Sequence, residues 1–236
     1  MDTVQGRVVA VCVGTVQPLV ASGRVHQTAF VKEPATGPVA LGALGLDGDE
    51  HIYHAHGGTD QALLVYSLDH YAFWRDEYQL DLPSVGAFAE NLTVEGLTET
   101  EVCIGDTFRI GEVVAQVTSP RVPCYKIGVR YANRELPVVM QEVGHTGYML
   151  RVITEGAVEA GDDMTLIERP ATTMTVAEAG RVVACDRDDW EVIEKLIAVP
   201  ELAEAMRIEL QDRLARQTRE DADDRLYGEG EGVPVA

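Results

Sequence analysis

The residues whose types and spacing could do chemistry centre on SPRVPCYKIG, residues 119–128, where Pro120 and Pro123 restrict the backbone around Cys124. Arg121 and Lys126 are close neighbours of that cysteine in sequence. Cationic neighbours favour the thiolate, which is the form that binds a soft metal or attacks an electrophile. The competing account is a small buried hydrophobe, the commonest state of a free cysteine.

A second segment, LDGDEHIYHAHGGTD (46–60), packs three histidines and four acids into one turn-rich stretch. His51, His54 and His56 could supply a zinc site, but the spacing is not HExxH, and a strand would turn His51 away from the other two. Gly57 and Gly58 allow backbone amides to approach a ligand and, with His56 as a donor, could hold an oxyanion or a heterocycle edge; a tight turn would use the same two glycines. In GAFAENL (86–92) a loop offers Glu90 as an acceptor and Asn91 as donor and acceptor together. In GHTGYMLRVITEGAVEAGD (144–162) Arg151 falls inside a strand, where it either faces a cleft or is paired in a salt bridge.

The elements that must position these groups are mostly strands. Short β-branched runs recur between Gly, Pro and Asp at 7–13, 25–31, 39–44, 62–66, 102–110, 113–118, 149–153 and 164–167, which reads as a mainly antiparallel sheet or barrel. Residues 68–78 and 135–143 carry helical spacing and decorate it. Beyond Arg169-Pro170 the pattern changes to three helices, expected over 176–182, 188–198 and 201–217. Thr175 with Glu178 forms a capping box, Asp186 precedes the second helix, and Pro200 sits where the third would begin. Leu202, Met206, Leu210 and Leu214 line one face of that third helix, so the unit is expected to dock on the barrel or on a second copy in a homodimer. The domains are therefore 1–170, a β domain, 171–217, an all-α three-helix unit, and 218–236, an acidic Gly-containing tail expected to be disordered.

With 39 acids against 19 Lys and Arg the formal net charge is −20, which repels nucleic acid polymers and anionic membrane surfaces alike. Against that background residues 113–134 contain no acid and hold Arg121, Lys126, Arg130 and Arg134, a local balance that suits a small anionic ligand or simply a buried strand. The four cysteines are widely spaced, which points to reduced thiols rather than a disulfide framework. No basic leader or run of 18 apolar residues is present, and a soluble cytoplasmic protein is expected.

Taken in order, LGLDGDE, HGGTDQALLVY, GAFAENL, GLTETEVCIGDTFRIG, SPRVPCYK, GYMLRVITEGAVEAGD and the helical tail resemble the MOSC family, and specifically its YiiM-type members. The resemblance covers almost the whole chain and implies a MOSC-type β-barrel that holds the pyranopterin molybdenum cofactor, with Cys124 as molybdenum or sulfur ligand. Arg121, Lys126 and Arg151 would then neutralise the cofactor phosphate, and His56, Gly57, Gly58, Asp60 and Asn91 would line or read the pterin edge. It also implies reduction of N-hydroxylated small molecules, notably hydroxylamino-purine bases, as a detoxification. Such a reduction needs two electrons and protons; His56, Glu90 and Asp60 are the candidate proton donors, with His56 favoured by its ordinary pKa. Because the chain shows neither a Cys cluster for iron–sulfur nor a GxGxxG loop, a separate reductase partner would deliver the electrons. Two further functions stay open: a carrier of the cofactor or of sulfur on an exposed Cys124, and a zinc hydrolase on His51, His54 and His56. A reductase needs a pocket beside the cysteine, whereas a carrier needs an open face.

Overall fold

The computed structural model describes residues 4–21, 23–52, 57–217, 223–227 and 233–234. Its strands begin with β1 (Gln5–Val13), β2 (Gln17–Ala21), β3 (Arg24–Thr28), β4 (Glu33–Pro34), β5 (Val39–Gly42), β6 (Gly45–Leu46) and β7 (Leu63–Ser67), followed by helix α1 (Tyr71–Tyr78). Next come β8 (Leu92–Glu95), β9 (Thr107–Ile110), β10 (Val113–Pro120), α2 (Lys126–Arg130), α3 (Leu136–Val143), β11 (Tyr148–Thr154), β12 (Gly156–Val158) and β13 (Asp163–Glu168). The chain continues through α4 (Val176–Ala184), α5 (Trp190–Ile197), α6 (Glu204–Arg216) and α7 (Asp223–Tyr227) to β14 (Val233–Pro234).

Strands β13, β9, β10, β11, β7, β8 and β1 pair in that order, and β1 pairs again with β13, so the sheet closes into a seven-stranded barrel with β4 added beside β1. Closure leaves the barrel strands no free edge. Its pairs are antiparallel except β7 with β8, and a parallel pair cannot be joined by a hairpin; α1 rides in that crossover on the outside of the barrel. Every residue of β7, LLVYS, is buried, because one face meets the barrel interior and the other a second core outside it. That outer core gathers Tyr66, Tyr71, Trp74, Phe88, Ile127 and Met140, and so holds α1, α2 and α3 against the wall. The mainly β class with decorating helices and a helical appendix is the class the sequence implies.

The local differences have physical causes. Strand β8 runs through Leu92–Glu95, directly after a segment that reads as a loop, because an alternation of four residues is too short to stand out. The expected strand 102–110 is reduced to Thr107–Ile110, since Cys103–Asp106 turns on itself, with the Asp106 carboxylate accepting from the Cys103 amide at 2.8 Å. The capping box of α4 is present, and Asp189 rather than Asp186 caps α5. Helix α6 starts at Glu204, not at Pro200: the chain turns first, with Leu202 N donating to Val199 O at 3.2 Å, and the free amide of Glu204 is taken by Asp60 Oδ2 of the barrel at 2.9 Å.

Leu202, Met206 and Leu210 are buried within this chain, in the same core as Val182, Ile193 and Leu196 of α4 and α5. The apolar stripe is thus satisfied without a second copy, and the argument from it to a homodimer lapses. Within the tail, residues 223–227 form α7 and 233–234 form β14, which pairs with β3 through Val233 and Val25; the rest of 218–236, on which the expectation of disorder falls, lies outside the described residues. Composition registers acidity and glycine but not the β2–β3 hairpin that supplies this pairing. Among the described residues no helix is long and apolar enough to cross a membrane.

Asp60 and Arg151 join the two units. Their ion pair spans 3.0 Å, and Arg151 also donates to Glu201 O at 3.0 Å, just ahead of α6. Arg151→Ala is expected to lower stability by about 1–2 kcal/mol and to make the segment 171–217 more susceptible to limited proteolysis than the barrel. Urea unfolding and a protease time course would check both, and equal protection of the two units in the variant would refute the joint.

Candidate functional site

Strand β10 ends at Pro120, and the backbone amide of Arg121 donates to Gly147 O at 3.0 Å, which carries its pairing with β11 one step further. The chain then turns through Val122–Tyr125 into α2, with Cys124 O accepting from Ile127 N at 3.1 Å. Cys124 is half-buried in this turn. Two arginines flank it. The Arg121 guanidinium donates to Phe88 O at 3.2 Å and to Thr146 O at 3.4 Å. Arg225 of α7 donates to Pro123 O, while its own carbonyl accepts from Tyr125 N at 2.8 Å. Burial lowers the pKa of both guanidiniums, against a charge interaction with the Cys124 side chain that acts to raise it; in Arg225 a nearby Arg187 lowers it further. An arginine so shifted is still a cation.

Of the other cysteines, Cys12 and Cys103 are buried and Cys185 is exposed. Burial pushes the Cys12 thiol up to about 12, with help from Glu90, and burial also raises Cys103 and Cys185. Cys124 has Arg121 and Arg225 as charged neighbours; Arg121 is one of the two cations that the sequence sets beside it, and Arg225 comes from the tail.

What the sequence does not reveal is the layer behind Arg121. Glu99 is buried; its Oε1 accepts from Gly147 N at 2.6 Å and its Oε2 meets His70 Nε2 at 2.6 Å. The His145 ring stacks on His70 with centroids 3.8 Å apart, and its carbonyl accepts from Tyr66 OH at 3.1 Å. Gly147 can take its place because its φ is +80°, with a Val65 carbonyl where a side chain would go. This His–Glu–Gly cluster fixes the 145–147 turn whose carbonyls hold Arg121. His70 and Glu99 are 29 residues apart in sequence and no spacing rule links them.

Several candidates have other occupations. Glu90 has no solvent exposure and accepts from Tyr71 OH, Gly86 N at 3.0 Å, Phe88 N at 2.8 Å and Thr93 Oγ1 at 2.9 Å, so it is a scaffold carboxylate rather than a proton donor. Asn91 accepts from Leu64 N at 3.0 Å and donates to Asp49 at 2.8 Å and Cys12 O at 3.4 Å, which uses both amide hydrogens inside the barrel wall. Asp60 and Arg151 are engaged with each other and with the start of α6. Lys126 opens α2, half-buried, two residues from Cys124. Gly57 and Gly58 have φ of +118° and +102° and form a turn closed by Gln61 N to Gly58 O at 3.0 Å; His51 packs against Gly57. His54 and His56 lie outside the described residues, and among those described no group of three His, Cys, Asp or Glu could hold a metal ion.

A cavity of about 440 Å³ opens beside the cysteine turn, between Pro120–Pro123, the α3–β11 turn and α4. It is within the size range of small-molecule sites.

Residues 52–165 match the MOSC domain family, and residues 174–217 match the YiiM-like, 3-alpha helix domain. YflK of Bacillus subtilis is 37% identical over 201 residues, 85% of this chain and 90% of that protein. YiiM of Escherichia coli is 35% identical over 204 residues, 85% and 91% of the two chains. A crystal structure of YiiM from Escherichia coli gives a TM-score of 0.76 at 29% identity, covering 97% of this chain and 100% of that one. A protein named "Reductase" from Gibberella moniliformis is 35% identical over 183 residues, which is 76% of this chain and 33% of that longer protein.

The layer behind Arg121 makes the fold acid-sensitive. Burial and His70 lower the His145 pKa from 6.5 to about 4. Burial acts to raise Glu99, but the hydrogen bond and charge of His70 outweigh it and the net shift is downward. In both cases the unfolded chain binds the proton more readily, so stability present at neutral pH is lost on acidification, from about 6.5 down through about 4 for His145. His145→Phe keeps the stacked ring and removes that titration. Its urea midpoint should fall less than that of the wild type between pH 7 and pH 5; parallel declines would show that His145 contributes nothing.

Proposed function

We propose, from the premise that this chain belongs to the MOSC family and carries the YiiM-like 3-alpha helix domain, that it binds the molybdenum cofactor at Cys124 and reduces N-hydroxylated compounds such as hydroxylamino-purine bases. MOSC domains are related to the C-terminal domain of molybdenum cofactor sulfurase, and the chain has a relative named as a reductase. The single observation that carries the reading is the half-buried Cys124 between Arg121 and Arg225 in a chain whose net charge is −20.

The donor set fits that cofactor. A thiol is a soft ligand suited to a metal–sulfur centre, and a guanidinium pairs with phosphate through charge-assisted hydrogen bonds. Arg121 and Arg225 supply local positive charge where the global field is negative. When bound, the cofactor supplies the two-electron redox chemistry that side chains cannot. The chain's own residues hold and orient: Cys124 as ligand, Arg121 and Arg225 as counter-charges, and the Glu99–Gly147 contact as the brace for Arg121. Lys126, two residues on in sequence, is a further cation of the same segment. With Glu90 and Asp60 engaged elsewhere, His56 is the proton donor in this reading. The substrate is a small molecule, electrons come from a separate reductase, and the protein works in the cytoplasm. The cavity of about 440 Å³ next to a half-buried cysteine favours turnover over a carrier role, which would present the thiol on an open face.

Protein from a cofactor-producing cell should contain molybdenum and pterin and reduce a hydroxylamino-purine, while Cys124→Ser should lose metal and activity together. His56→Gln should keep the metal and lose about 100-fold or more in turnover. Wild-type protein devoid of both molybdenum and pterin would overturn the assignment.

A further inference from the structure

The tail that meets the cysteine turn lies beyond both family matches, the second of which ends at residue 217. Its described parts touch the turn on either side of the thiol. The Tyr125 amide donates to Arg225 O at 2.8 Å and the Arg225 guanidinium donates to Pro123 O, so α7 is bonded to the residue before Cys124 and to the residue after it.

Two further anchors flank these bonds. The Arg134 guanidinium lies over the Tyr227 ring, 4.7 Å from its centroid, which ties the end of α7 to the connection between α2 and α3. On the other side β14 pairs with β3 through Val233 with Val25 and Pro234 with Arg24, and β3 borders the turn itself, where the His26 and Tyr125 rings stand 6.2 Å apart. Charge favours the same arrangement. By sequence, residues 218–236 hold six acids and two arginines, whereas residues 113–134 hold four cations and no acid.

These attachments are few and shallow. Helix α7 has five residues, far short of the ~12–15 at which an isolated helix becomes even marginally stable, and β14 has two. Arg225, Leu226 and Tyr227 are only half-buried. Neither apolar core includes a described residue of the tail, whereas α4, α5 and α6 all share the barrel core. A segment held by a handful of half-exposed contacts opens locally at a small part of the cost of global unfolding.

We propose that α7 and β14 act as a strap over the Cys124 turn. Closed, it covers the thiol and sets the Arg225 charge beside it. Released at the Arg134–Tyr227 contact and at the β14–β3 pairing, it admits or discharges a ligand of that cysteine while the barrel and the helical unit stay folded. The strap rests on the cofactor reading for the identity of that ligand and adds the control of access to the same site, but its test needs no cofactor.

Carbamidomethylation of full-length, cofactor-free protein by iodoacetamide at pH about 9, where an ordinary thiol is largely ionised, reads access to each cysteine separately once the peptides are resolved by mass spectrometry. Tyr227→Ala and Arg134→Ala should each raise the Cys124 rate about fivefold, and the double variant no further, because both remove the same contact. Tyr227→Phe keeps the ring under the guanidinium and should label at the wild-type rate. Exposed Cys185 and buried Cys12 and Cys103 are the references, and their rates should not change. An unchanged Cys124 rate in both alanine variants, or a rise that Cys12 and Cys103 share, which marks global opening, overturns the strap. If the alanine variants do not fold, hydrogen exchange of the wild type decides: the Tyr125 amide, held by Arg225 O, should exchange about tenfold faster or more than the Arg121 amide, held by Gly147 O, and equal protection overturns the strap. Neither measurement depends on metal content, so a strap that opens as expected in protein that never acquires molybdenum would keep this inference and remove the reading of Cys124 as cofactor ligand.

Discussion

A carboxyl group with no access to water must be met by hydrogen-bond donors, and Glu90 meets this constraint with two backbone amides, a threonine hydroxyl and the Tyr71 phenol. Those contacts tie the 86–93 loop to α1 and fix the direction of the Phe88 carbonyl. That carbonyl, with Thr146 O, holds Arg121, and Arg121 faces Cys124. The reactive turn is thus positioned through a chain of polar contacts whose far end never approaches the thiol. Removing a buried charge's partners is expensive, which is why such a scaffold can hold a guanidinium in one place.

Two apolar cores make that scaffold rigid. The barrel core fixes β10 and β11, from which Arg121 and Gly147 emerge, and the outer aromatic core fixes α2, on which the cysteine turn ends. Strand β7 serves both cores, with a side chain buried at every position. The helical unit is attached by hydrophobic burial and by the Asp60–Arg151 joint, so its α4 lies across from Pro120 and closes one side of the cavity. The tail returns to pin the turn through Arg225. Barrel, helices and tail each supply one boundary of the same small region.

The family membership and the geometry answer different questions. Similarity to YflK and YiiM along most of both chains identifies the fold and its appendix. Which groups brace the cysteine turn is a matter of contacts in this chain: the His70–Glu99 pair behind Arg121 and the tail arginine come from segments far apart in sequence.

The amino-acid sequence by itself determined the mainly β class, the change to helices after Pro170 and the Thr175 capping box, because each is written in local periodicity or capping chemistry. It could not assign Glu90, Asn91, Asp60 and Arg151, whose polar side chains look equally suited to ligand and to scaffold until their partners are known. Tertiary structure decided that these four are occupied by the fold, that the stripe Leu202, Met206 and Leu210 is covered within the chain, and that α7 docks over the cysteine turn. The physical reason is that hydrogen-bond satisfaction and burial are properties of pairs, and here the partners lie tens of residues apart, beyond the reach of any local pattern.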